Sequence, residues 1–223
     1  MSITADIDAV HDGSKVKAQP VRGIAVRLAH WTGVISVGGL IYSGWGILIS
    51  HPRLYWGETG AVGAPSLIDL PIDFVIGPSV WNRPIHFFFA WMLVFAGVGY
   101  FLNGFLRGHF RKDLLPGRSN YTRGKDEWRY NPVQRATYLA VVFGLFPAIV
   151  WTGLSMSPAL MTVFPWMVTL LGGHQSARTL HFVFVNLLML FVIVHLAMLF
   201  HAGFLRHVWA MITGYAPRWG RSK

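Results

Sequence analysis

Ten histidines and no cysteine set the bounds of the chemistry open to this 223-residue chain. Without thiols there are no disulfides, iron–sulfur clusters, thiolate metal sites or cysteine nucleophiles. Imidazole is the strong ligand that remains. Four histidines, His30, His86, His181 and His195, sit inside long apolar stretches, where an ionisable side chain is costly and marks a functional site. In a helix, His181 and His195 lie within about 40° of one face and roughly 21 Å apart along the axis. His201 falls about 120° from His195 and faces elsewhere. An arginine stands three residues before three of the four, at Arg27, Arg83 and Arg178. That offset is one helical turn on the same face. Guanidinium groups there suit carboxylates at a membrane boundary.

The elements that carry these residues are apolar. The chain is 53% hydrophobic and 13% charged, with a net charge of +10; a soluble domain is about 25% charged. A water-soluble domain of this size cannot bury so much apolar surface. A membrane protein with its charge on one side can carry it. A bilayer-crossing helix needs about 20 apolar residues, and residues 25–50, 84–106, 135–156 and 176–203 each supply them. The apolar segment 159–171 is short and split by Pro165, which predicts an interfacial or re-entrant helix. Residues 1–24 are polar and read as a tail, not a signal peptide; residues 217–223 form a second, basic tail. Of the nineteen basic residues, only Arg53, Arg83 and Arg178 fall on the side opposite the two tails. The positive-inside rule then predicts cytoplasmic N and C termini in a bacterial inner membrane. The charge therefore calls for no nucleic-acid partner, and contact with acidic membrane lipids is a by-product.

Depth sorts the histidines into pairs. His30 enters from the cytoplasmic side and His86 from the outer side. His181 lies at the outer level of span four and His195 at its inner level. The pairs His86/His181 and His30/His195 are what two haems require, because a porphyrin supplies four ligands and two imidazoles the axial ones. The three arginines then lie where haem propionates would emerge. Gly44 follows His30 by four turns at the outer level, and Gly97 follows His86 on nearly its face toward the inner level; both leave gaps for a flat macrocycle. The fold class expected is all-α integral membrane: a four-helix transmembrane bundle binding two stacked b haems, plus a short interfacial helix. Trp31, Trp45, Trp56, Trp81, Trp151 and Trp166 read as interfacial belt residues.

In order along the chain, Arg27-Leu28-Ala29-His30-Trp31, Ser43-Gly44, Arg83-Pro84-Ile85-His86, Thr152-Gly153, the His181/His195 step and Trp209-Ala210-Met211-Ile212-Thr213-Gly214 form a pattern. It resembles the bacterial cytochrome b561 and nickel–iron hydrogenase b-type cytochrome group over roughly residues 22–216. The b subunits of formate dehydrogenase and thiosulfate reductase are similar. The resemblance implies two b haems on the same four histidines and electron transfer between quinone and a partner oxidoreductase subunit. It also implies a quinone site near His30 and His195, with Asn103, Asn186 and His201 as candidate polar contacts. The long outer loop 51–82 and segment 159–171 suggest a surface for a periplasmic catalytic subunit, with Trp56, Glu58, Asp69 and Asp73 on it. A plain ordered loop is the alternative. Other functions stay open: a stand-alone quinone or superoxide:quinone oxidoreductase, a histidine-lined metal transporter, and a non-redox anchor. All nine Asp and Glu residues lie outside the four spans, which disfavours the transporter.

Overall fold

Apolar length dictates the main elements of this computed structural model, which describes residues 23–60, 64–71, 80–106 and 132–215, with side chains from residue 136 in the last range. Most of the N-terminal tail, the C-terminal tail, Asp73 and the basic loop after span two lie outside the described residues. Four helices are long and apolar enough to cross a membrane. The first two are α1 (Ile24–Ser50) and α2 (Asn82–Leu106). Between them, β1 (Arg53–Leu54) pairs antiparallel with β2 (Ile68–Asp69), with Arg53 opposite Asp69. The third span is composite: α3 (Pro132–Leu139), a π-helical stretch Ala140–Leu145, and α4 (Phe146–Leu154). Pro147 explains the break, because it has no N–H to give the Phe143 carbonyl and its ring crowds that carbonyl.

The expected short helix at 159–171 is instead two, α5 (Pro158–Val163) and α6 (Trp166–Thr169), parted at Phe164 and Pro165. The fourth span is α7 (His174–His201). Gly203, with φ 98°, ends its run, and α8 (Phe204–Thr213) follows. The sequence reading assigns no helix after residue 203, so α8 is an addition. Its Leu205, Trp209 and Ile212 are exposed while Ala210 is buried, the one-sided pattern of a helix lying along a membrane surface.

The helices pack as two pairs. α1 lies along α2, and α4 along α7; contacts between the pairs are few. A seam of small residues on α1, Ser36, Gly39, Ser43, Gly46 and Ser50, repeats every three and four residues and lets the backbones approach closely. A Cβ on Gly39 would run into the Phe89 ring, and one on Gly46 into the Asn82 side chain. The serines satisfy their hydroxyls on the preceding turn: Ser36 donates to the Thr32 carbonyl at 2.7 Å and Ser43 to the Gly39 carbonyl at 2.7 Å. Large apolar side chains such as Phe88, Phe95, Ile193 and Phe200 face outward, as lipid-facing residues do.

Candidate cofactor site

Two histidines bridge the gap between the helix pairs. His86 on α2 and His181 on α7 face each other with ring centroids 6.4 Å apart. Each ring leans on the partner helix of its own pair, and the two supports have the same design. On α1, the Ser43 Oγ lies 3.0 Å from His86 Nδ1, the Leu40 carbonyl bonds the same ring, and Gly44 opens the space beside it. On α4, the Thr152 Oγ1 lies 2.9 Å from His181 Nδ1, the Ile149 carbonyl is 3.2 Å from that nitrogen, and Gly153 opens the space. Carbonyl, hydroxyl and glycine thus recur at the same spacing along both helices. A Cβ added at Gly44 would stand 3.4 Å from His86 Cε1, and one at Gly153 3.3 Å from His181 Cε1.

The hydrogen bonds fix which ring nitrogen is free. The Ser43 hydroxyl gives its proton to Gly39, and Thr152 gives its own to the Ala148 carbonyl at 2.9 Å. Both hydroxyl oxygens are therefore acceptors, as the helix carbonyls must be. The Nδ1 atoms carry the protons, and each Nε2 is left with its lone pair. A metal held between two imidazoles by bonds of about 2 Å sets the ring centroids roughly 6 Å apart. The spacing, the tautomers and the glycine cradles all fit an axially ligated haem iron. Among the described residues no group of three or more His, Asp or Glu side chains converges. A pair of imidazoles suits a metal that brings its other ligands with it.

At the opposite end of the bundle, His30 on α1 and His195 on α7 lie within electrostatic reach of each other. His195 stacks on Phe191 at 5.8 Å and His30 meets the edge of Trp31 at 5.6 Å. Among the described residues no hydrogen bond reaches either imidazole. Gly97 has nothing within 4 Å of an added Cβ, so α2 is open there.

The arginines divide their work. Arg27 Nε donates to the Met211 carbonyl at 3.3 Å and its Nη2 to that of Ile212, while Trp31 Nε1 reaches Met211 at 3.2 Å. These contacts tie the end of α8 to the start of α1. Arg178 donates through Nη1 to the Arg53 carbonyl at 3.2 Å and through Nη2 to that of His51. Arg83 has no hydrogen-bond partner among the described residues, yet its charge is felt by Arg178.

The loop after α1 is pinned onto the start of α7. Thr179 Oγ1 donates to the Tyr55 carbonyl at 2.6 Å, the Gly57 N–H to Ser176 Oγ at 2.7 Å, and the His174 N–H to Glu58 Oε2 at 3.3 Å. Gly173, with φ 112°, permits the approach: a Cβ there would meet the Gly57 carbonyl carbon at 2.6 Å. Of the four residues expected on an outer docking surface, Glu58 caps α7, Asp69 pairs with Arg53 at 3.3 Å, and Trp56 is exposed. Asn186 and His201 are exposed, and Asn186 Nδ2 donates to its own helix at Phe182. The sequence offered Ser43 and Thr152-Gly153 only as motif fragments; their bonds to imidazoles of other helices had no signal along the chain.

A four-span helical bundle with paired intramembrane imidazoles defines a membrane haem protein. The prokaryotic cytochrome b561 family model matches residues 21–214, and the chain belongs to that family of multi-pass, haem-binding electron-transfer proteins. A curated relative from Azospira oryzae, provisionally named protein-methionine-sulfoxide reductase subunit YedZ1, is 31% identical over 205 residues, covering 85% of this chain and 94% of its own. No solved structure matches the chain.

Proposed function

We propose that this chain is a di-haem cytochrome b that passes electrons between membrane quinone and a catalytic oxidoreductase subunit docked at its His86/His181 end. The observation that carries this is the facing His86/His181 pair, with both Nδ1 atoms committed and both Nε2 atoms free. His30 and His195 form the second ligand pair, nearer the N-terminal end of α1. Each haem supplies a one-electron carrier when bound. His86 with His181, and His30 with His195, would hold the haems, and paired imidazoles would favour electron transfer over binding of small molecules. Arg83 and Arg178 bring two like charges together, and their guanidinium groups would suit the carboxylates of a haem held there. Arg27 keeps donors beyond those bound to α8, and these would suit the carboxylates of a second haem. The likeness to the Azospira protein supports a reductase as the partner, and quinone is what the family resemblance implies at the other end.

Orientation follows the basic residues: both tails cytoplasmic, in a bacterial inner membrane, with the docked subunit on the periplasmic side. Protein purified in detergent should show reduced-minus-oxidised bands of b haem and two haems per chain. His86→Ala and His30→Ala should each lower that to one. Absence of the bands overturns the redox reading, and full haem content in both variants overturns the ligand assignment.

A further inference from the structure

We infer that Ser43 and Thr152 are positioning residues that set the electronic character of the His86/His181 site and leave the His30/His195 site untouched. The inference rests on the proposed haem ligation and adds a division of labour between the two levels. Each hydroxyl accepts from an imidazole Nδ1–H, at 3.0 Å for Ser43 and 2.9 Å for Thr152, while its own proton is bound to a helix carbonyl. Both oxygens are buried, at 0% exposure for Ser43 and 1% for Thr152, so water does not take their place. An acceptor on Nδ1 draws the proton outward and makes Nε2 a stronger donor. A stronger donor stabilises the more highly charged Fe(III) form. Two such acceptors on one iron act in the same direction, so this site takes up an electron less readily than it would without them.

The other level has no such device among the described residues. His30 touches Trp31 at its edge and His195 stacks on Phe191, neither of which accepts a proton from Nδ1. The two sites are therefore inequivalent by construction, although both use paired imidazoles. The repetition of carbonyl, hydroxyl and glycine on α1 and α4 argues for a role beyond packing. A packing seam needs a small residue at Ser43, but it does not need hydroxyls on two different helices aimed at the same nitrogen of two rings. Leu40 and Ile149 keep fallback carbonyls near the rings. Removing a hydroxyl therefore weakens the acceptor without freeing the tautomer.

The test compares Thr152→Val, which keeps the shape and loses the acceptor, with Thr152→Ser, which keeps the acceptor and loses a methyl. Ser43→Ala provides the independent arm on α1. Equilibrium potentiometry of the purified protein, followed optically, reads both haems. Thr152→Val and Ser43→Ala should each favour reduction of one haem by roughly threefold to tenfold, tenfold being 59 mV for a one-electron couple. The double variant should move the same haem further, and the second haem should stay in place. Thr152→Ser should leave both potentials as in the wild type. Loss of one haem from Thr152→Val but not from Thr152→Ser also supports positioning. Unchanged potentials in Thr152→Val and Ser43→Ala, or equal effects of Val and Ser at 152, overturn the inference. A wild-type protein without b-haem bands would instead overturn the proposed function.

Discussion

At the scale of single residues, the absence of a side chain matters as much as its presence. Gly44 and Gly153 each follow the hydroxyl residue that holds an imidazole, and their missing Cβ atoms leave room for the ring edge. A methyl at 153 would come within 3.3 Å of His181 Cε1, a tight contact that a small ring shift relieves. A leucine cannot be relieved that way, because its branched side chain would run into the His181 ring that the glycine leaves room for. On the proposed two-haem reading, Gly153→Leu should lose about half of the haem, and Gly153→Ala should keep nearly all of it. Haem per polypeptide, measured at equal helical circular dichroism, checks this; equal retention by the two variants would refute the cradle. The histidines were legible in the sequence because an ionisable group in an apolar run stands out one residue at a time. Ser43 and Thr152 were not, because a hydroxyl in a membrane helix satisfies itself on its own preceding turn. Only the fold reveals that the same oxygen also serves an imidazole on a neighbouring helix.

Elements were legible in proportion to their length. Four apolar runs gave four spans with ends within a few residues, since bilayer thickness fixes how much helix must be apolar. Pieces shorter than a span were harder to read. Pro147 was visible, but its effect is a local π-helical stretch and not an end to the helix. The apolar run of segment 159–171 predicts one short helix, and Pro165 makes it two. α8 has no separate signal in the sequence, because its apolar residues continue those of span four; only the backbone of Gly203 parts them. That helix is held to α1 by Arg27 and Trp31, which bond its last carbonyls and complement its C-terminal dipole. A hydrogen bond to a charged group contributes about 1.5–3 kcal/mol when buried, and the half-exposed Arg27 less, about 1 kcal/mol. Arg27→Gln should thus speed amide exchange in residues 204–214 roughly fivefold with little change in α1. Exchange unaltered in α8 would show that Trp31 and the apolar face alone secure it.

At the scale of the whole molecule, the charge excess and the missing cysteines bear on one question, the direction in which the bundle sits. The described part of the His86/His181 end carries Arg53, Arg83 and Arg178. Arg53 is paired with Asp69, Arg178 is bonded to loop carbonyls, and both are fixed by the fold. The sixteen remaining basic residues fall in the segments expected at the other end, where the positive-inside rule counts them. Each Lys or Arg near an anionic cytoplasmic leaflet contributes about 1 kcal/mol, so this asymmetry outweighs any single loop contact. The proposed orientation, both tails cytoplasmic and the loop pinned on α7 periplasmic, rests on this asymmetry. A chain without cysteine allows a clean test, because any thiol is the one introduced. Ala64→Cys sits in the exposed loop between β1 and β2, and Ser222→Cys sits in the C-terminal tail. In intact spheroplasts an impermeant maleimide should label the first and spare the second, and permeabilisation should expose both. The reverse pattern would turn the bundle over. It would move the proposed docking end to the cytoplasm, and the partner would then have to be sought there.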